Sequence, residues 1–555
     1  MAQIPALSRQ AEQRAFAGAA RQQAVQQEAQ REEAQRATRA WSKYQADIFA
    51  FVQNDTRNAV IEAVAGSGKS TTIVHAMSLI PADKSAVFLA FNKAIAEELK
   101  AKGVNAKTFH SLTYSPVTRH KDVRSVETNK LRILVDENFT GNDARMYGQF
   151  CQKLVGLGRQ VGIGCLVPDV EASWMDIVVY HDLELDNEGA NLGRAIELAQ
   201  ELLELSNAAP MVDFDDMLYL PVKDGLSLPK FDFVFVDEAQ DTNAIQRALL
   251  RKILKPTSRL IAVGDPAQAI YGFRGADSNS LGLIVEEFDC VRLPLTVSYR
   301  CGHEIIKYAQ QWVKHIEAAP NAAAGTVRDL GKRWDPATQF RPDHLVVCRT
   351  TRPLISLAYT LMRAKVPCFI MGKEIGAGMK ALINKMKASN LQELETRLGK
   401  WLERETEKAL AKKDDAKVEA LQDKADAIYF LIDSLPETQR HVNGLLTLVD
   451  SLFADGVGKV RLCTIHKSKG LEADVVHWLN RSACPSKWAK QEWQKVQEGN
   501  LCYVAATRAK STLYLIEEGA TGNAHPDQDA QRLRDQDARM VEEILDLGRD
   551  LPRNS

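Results

Sequence analysis

The residues most able to do chemistry begin with Ala63-Val64-Ala65-Gly66-Ser67-Gly68-Lys69-Ser70-Thr71, entered from the apolar pair Val60-Ile61. Small residues between a short β-branched run and a Lys-Ser pair read as strand, tight loop and helix start. Such a loop cradles phosphate. Backbone N–H groups from Ala65 to Thr71 can close on phosphate oxygens, the new helix turns its positive end toward them, Lys69 reaches the outer phosphates and the Ser70 hydroxyl can hold Mg²⁺. Downstream, Asp237-Glu238 ends the apolar run Phe231–Val236. One carboxylate can sit beside Mg²⁺ while the other polarises water. Two adjacent acids alone would read equally well as a helix cap and a surface charge. Position decides, because in a parallel sheet this strand end and the phosphate loop share the carboxyl edge where ligands bind. Gln268 ends the next strand and can report on a γ-phosphate.

Strands must deliver these groups to one edge. Apolar runs at 86–91, 231–236 and 259–265 alternate with helical stretches, which predicts a largely parallel sheet with right-handed crossovers. The first unit is expected over 41–115 and 209–290, interrupted by a helical insertion at 116–208. A second α/β unit is expected over 291–372 and 459–517, interrupted by a helical insertion at 373–458. Residues 1–40, rich in Ala, Gln, Arg and Glu, read as a flexible or helical arm, and 518–555 as a polar tail. Both are candidate sites for a protein partner.

Composition narrows the class. With Lys+Arg 71 against Asp+Glu 72, the net charge of -1 confines any nucleic-acid surface to a local groove. The nine cysteines include no Cys-x-x-Cys pair, so no zinc or iron–sulfur framework is expected and reduced thiols in a cytoplasmic protein are. No apolar run is long enough to span a membrane.

The chain resembles the UvrD/Rep-like superfamily 1 helicases over about residues 41 to 517. Gln45, the Ala-first phosphate loop, Thr108-Phe109-His110, Asp237-Glu238-Ala239-Gln240, Gly264 to Ala276, Tyr299-Arg300, Thr464 to Glu472 and Tyr503 to Lys510 match its motifs in order. The resemblance implies two RecA-like P-loop domains with ATP between them, each with a mainly helical insertion. It implies that Lys69 and Ser70 bind phosphate and Mg²⁺, that Asp237 joins the Mg²⁺ shell and that Glu238 activates water. Arg300 and Arg508 become arginine fingers, Tyr299 stacks on adenine, Gln45 reads its edge and Glu472 meets the ribose. Phe273 is the expected base-stacker, with Arg274, His110 and His466 near the DNA backbone. Ser298 stands where the family has Asn. Phe91 is shifted by one position, leaving stacking and core packing both open.

The function so implied is an ATP-dependent DNA helicase that moves 3′ to 5′ on single-stranded DNA and opens tailed duplexes. A nucleotide-gated clamp acting through partners is the alternative. A fused nuclease is not expected, since the tail carries no clustered metal-binding acids.

Overall fold

The computed structural model describes residues 41–519 except 182, 184, 186, 188, 272–278, 412–414, 436–438, 455–458, 488 and 490. The arm, nearly all of the tail, and Phe273 and Arg274 therefore lie outside the described residues.

The first sheet is built from β1 (Asn58–Ala63), β2 (Ala86–Leu89), β3 (Ala106–Lys107), β4 (Phe231–Val236), β5 (Leu254–Gly264) and β6 (Cys290–Leu295). Their order is β3-β2-β4-β5-β1-β6, with every pairing parallel. Its central strands are apolar and closed to water on both faces, as a parallel sheet covered by helices requires. Because all strands run the same way, the phosphate loop after β1, Asn92 after β2, Thr108 after β3, Asp237 after β4 and Asp265 after β5 emerge at one edge. Local chemistry starts the helices there. Asn92 Oδ1 accepts from Ile95 N–H at 2.9 Å, and Thr108 caps the helix Phe109–His120.

After β7 (Val297–Ser298) and β8 (Glu317–Ala318), which pair with each other, come β9 (Thr326–Gly331), β10 (Leu345–Cys348), β11 (Cys368–Ile370), β12 (Val460–Thr464), β13 (Ala473–Leu479) and β14 (Ala509–Ile516). These last six form the second sheet, order β11-β12-β10-β13-β14-β9, again all parallel. Among the described residues the protein is thus an α/β chain with two six-stranded parallel sheets and the small β7–β8 pair. One boundary moves. Residues 290–295 pair with β1, so the expected start of the second unit at 291 is corrected: the last strand of the first sheet comes after all of its neighbours in sequence and extends beyond that point.

Helices between Phe109 and Lys223 separate β3 from β4, and helices between Lys373 and Leu452 separate β11 from β12. The first group shares one continuous apolar core with a face of the first sheet, the second with a face of the second sheet. A buried ionic knot ties the first group down: Arg159 donates to Asp213 and Asp216 at 2.9–3.0 Å, and Lys130 Nζ to Asp216 at 2.6 Å. Removing one partner from such a knot strands a charge, at a cost of about 3–5 kcal/mol. Among the described residues no helix is long and apolar enough to cross a membrane, and no cluster of three His, Cys, Asp or Glu could hold a metal.

Candidate nucleotide cleft and strand-facing surface

The phosphate loop turns on two glycines, Gly66 at φ +72° and Gly68 at φ +78°. That left-handed backbone is open to glycine at little cost. The helix Lys69–Ser78 begins immediately after, so its free N–H groups point into the loop. Ser70 Oγ donates to Asp237 Oδ2 at 3.2 Å, which places the hydroxyl and the carboxylate together. Burial, then Glu238, push the Asp237 carboxyl above its ordinary value. A buried carboxylate beside a hydroxyl oxygen at a phosphate loop is a donor set that fits Mg²⁺. Glu238 behaves oppositely. Burial would raise it, but Lys69 and Lys469 outweigh burial and hold it ionised. Gln240 Nε2 donates to Glu238 Oε2, fixing the carboxylate's orientation.

Gln45 sits behind the loop. Its Oε1 accepts from Ser42 N–H at 3.1 Å and its Nε2 donates to Thr72 Oγ1 at 2.9 Å, so its amide braces the phosphate-loop helix. Gln268 is turned inward, donating from Nε2 to Asp265 Oδ2 at 2.6 Å.

The second unit closes on this edge. Tyr299 N–H donates to Gly66 O at 2.8 Å while its ring stays 46% exposed beside the loop. Arg300 Nε lies 2.7 Å from Glu472 Oε2, and Lys510 Nζ 2.7 Å from Glu472 Oε1. Despite partial burial, Lys510 and Arg300 hold the Glu472 carboxyl below its usual range. Arg508 is buried and donates to the carbonyls of Val504 and Leu471 at 3.0 and 3.1 Å. Burial, with Arg300 adding to it, lowers its pKa to about 10.

Three residues to which the motifs gave no role join the cleft. Lys469 Nζ crosses to Asp241 Oδ2 at 2.5 Å and to Gln268 O at 2.8 Å, and lies 3.9 Å from Glu238. Burial pushes Asp241 up to about 6 even with Lys469 beside it. Tyr503 reaches Asp265 and accepts from Ala65 N–H, so the expected phosphate-binding set is corrected: that amide is already bonded to the second unit and faces no phosphate. Nothing in their spacing announces these contacts, because each depends on how the two units dock.

After β2, Phe91 is 47% exposed, which removes core packing as its role. Its ring stacks on Tyr271 at 6.2 Å with 8° between planes, and Lys469 Nζ lies 4.9 Å from the Tyr271 ring centre. His110 stands edge-on to Phe214 at 6.0 Å, and burial lowers its pKa. The His466 carbonyl accepts from the Tyr271 hydroxyl at 3.4 Å. The two histidines therefore sit against different neighbours.

Residues 44–289 match the family described as UvrD/REP helicase N-terminal domain, and residues 374–518 the UvrD-like helicase C-terminal domain. The F-box DNA helicase protein 1 of Schizosaccharomyces pombe is 25% identical over 503 residues, covering 82% of this chain and 55% of that protein. The ATP-dependent DNA helicase PcrA of Staphylococcus epidermidis is 23% identical over 284 residues, 46% of this chain and 38% of its own length. DNA helicase II of Escherichia coli is 24% identical over 298 residues, again 46% and 38%. The chain spans about half the length of the F-box relatives it matches.

Proposed function

Because the chain belongs to the UvrD/Rep-like helicases, we propose that it hydrolyses ATP in the cleft between its two sheets and uses the cycle to move 3′ to 5′ along single-stranded DNA, opening tailed duplexes. The observation that carries this reading is the meeting of the phosphate loop with Tyr299, Arg300 and Tyr503 of the second unit, while Lys469 of that unit reaches Asp241 and Gln268 at the same edge. A cleft shared by two bodies can convert hydrolysis into relative motion, which a phosphate loop on one rigid unit cannot.

In this reading Lys69 and the loop amides beyond Ala65 hold the outer phosphates, and Ser70 and Asp237 would hold Mg²⁺. Mg²⁺, when bound, supplies charge neutralisation at the β- and γ-phosphates. Glu238, kept ionised by the two lysines, orients and activates the attacking water. Gln268, bonded to Asp265 in this structure, reports on the γ-phosphate. Arg300 must leave Glu472, and Arg508 its carbonyls, to reach a γ-phosphate, so both arginines are held in reserve until the cleft fills. Glu472, freed of Arg300, takes the ribose, Tyr299 stacks on adenine and Gln45 reads its edge.

Phe91 and Tyr271 offer aromatic faces to successive bases. Stacking of this kind contributes about 1–3 kcal/mol per base without reading sequence. Phe273, Arg274, His110 and His466 complete the proposed strand contact. The 3′-to-5′ direction rests on the Ile270-Tyr271-Gly272-Phe273-Arg274-Gly275-Ala276 continuation, which resembles that branch of the family. A cytoplasmic place of action fits nine cysteines that are all free thiols.

The test is ATP turnover alone, with single-stranded DNA and with RNA of equal length. Strong stimulation by DNA is expected. Turnover indifferent to nucleic acid would favour the nucleotide-gated clamp, and stimulation by RNA alone would reassign the substrate.

A further inference from the structure

Tyr503 stands on the helix Glu492–Ala506 of the second unit, five positions before Arg508, yet its hydroxyl lies inside the polar network of the first. Its Oη accepts from Ala65 N–H of the phosphate loop at 2.8 Å and donates to Asp265 Oδ2 at 3.4 Å. Asp265 Oδ2 also accepts from Gln268 Nε2 at 2.6 Å. The Asp265 N–H donates to Gln240 Oε1 at 3.1 Å, and Gln240 Nε2 donates in turn to Glu238. One unbroken run of hydrogen bonds thus leads from the helix that precedes Arg508, past the phosphate loop, to the carboxylate assigned to the attacking water.

Packing does not call for this hydroxyl. The Tyr503 ring lies in an apolar cluster with Val64, Ala65 and Ile270 from the first unit and Cys301, Leu501 and Val504 from the second, where a phenylalanine ring would fill the same space. The oxygen is specific to the crossing. It satisfies a buried phosphate-loop N–H that belongs to the other unit, and it does so only while the units are together. When the second unit withdraws, Ala65 N–H and Asp265 lose that partner, so the contact is made by closure and broken by opening. Burial and then Asp265 push the phenol well above its ordinary value, so it remains a proton donor to Asp265 throughout the neutral range.

We propose that Tyr503 is a positioning residue for ATP hydrolysis: its hydroxyl keys the helix leading to Arg508 onto Ala65 and Asp265 and thereby sets the closed cleft in which Glu238 and the arginines act together. This role rests on the motor reading above. It assigns Tyr503 no contact with nucleotide. Ground-state binding is left to the phosphate loop, and the hydroxyl contributes only where both units must be in register.

The experiment uses the full chain with saturating single-stranded DNA, comparing the parent, Lys69→Ala, Tyr503→Phe and Asp265→Asn. For Tyr503→Phe, kcat is expected to fall about tenfold, the size of one lost interdomain hydrogen bond. Affinity for ADP with aluminium fluoride, a transition-state mimic, falls by the same factor, while KM for ATP and affinity for a non-hydrolysable ATP analogue stay within about twofold of the parent. Asp265→Asn, which keeps the shape and removes the charge that the hydroxyl addresses, shows the same split and carries the test should Tyr503→Phe fold poorly. A Tyr503→Phe protein with the parent's kcat overturns the proposal. So does an equal loss of both analogues accompanied by a lower melting temperature, which is the signature of a packing role. A parent no faster than Lys69→Ala would instead count against the motor reading, and the role of Tyr503 would fall with it.

Discussion

Gly66→Ala isolates the contact between the phosphate loop and the second unit. Gly66 lies at φ +72°, and a Cβ built there would stand 2.4 Å from Arg300 Cβ and 2.8 Å from Ser298 Oγ. Carbon atoms rest at about 3.5–4.0 Å, so the Ser298–Arg300 segment must retreat by roughly 1 Å. That retreat also strains the 2.8 Å bond from Tyr299 N–H to Gly66 O. Two costs then follow. A non-glycine residue in the left-handed region costs about 1–2 kcal/mol, which lowers Tm by about 2–8 °C in a unit of this size. Displacing a catalytic group by about 1 Å can cost on the order of 10²-fold in rate. Gly103→Ala separates the two, because Gly103 has φ +80° and nothing within 4 Å of the added carbon. The assay is ATP turnover at saturating single-stranded DNA beside a thermal melt. Gly66→Ala should lose about 10²-fold in kcat and Gly103→Ala almost none, at similar loss of Tm. Parental turnover in Gly66→Ala would refute the closed cleft, and an equally slow Gly103→Ala would reduce the effect to backbone strain.

Lys69→Ala and Glu238→Gln should both abolish hydrolysis, but only the first should weaken binding of a fluorescent ATP analogue; parental turnover in Glu238→Gln with DNA present would remove Glu238 from its role. Phe91→Ala should reduce DNA-stimulated turnover and DNA affinity by about 1–3 kcal/mol while Tm stays near the parent's, since half the ring already faces water. A large fall in Tm with coupling intact would return Phe91 to the core. Burial and then Lys153 lower His181 to about 4, so the folded state keeps it neutral while the unfolded state takes a proton below about pH 6.5. Stability is therefore lost as pH falls from 6.5 toward 4, and His181→Gln should flatten that part of the denaturation profile; an unchanged slope would rule out this source.

The phosphate loop, Asp237-Glu238 and the two sheets are legible in sequence because each rests on a local pattern, a glycine turn or an apolar run buried on both faces. β9 is not. Thr326–Gly331 is an edge strand whose Arg328 and Asp329 break the apolar run, so its partner β14 alone defines it. The pairing of β6 with β1 is hidden for another reason, since strand order is a property of chain crossovers and not of either strand's residues. Lys130 and Arg159 are charged residues in helical stretches and become core only because Asp213 and Asp216 receive them. Lys469 and Tyr503 lie within readable motifs, but their targets belong to the other unit. Local pattern fixes an element, and docking decides which of its side chains faces the site.

The most direct test of the central claim, a cleft between two bodies that converts ATP hydrolysis into directed motion on one strand, is single-turnover opening of duplexes bearing only a 3′ or only a 5′ single-stranded tail. Parent protein should open the 3′-tailed duplex in the presence of ATP and Mg²⁺, with Lys69→Ala inactive on both. Efficient opening from the 5′ tail alone would contradict the direction, and opening of neither duplex despite DNA-stimulated hydrolysis would contradict the motor itself.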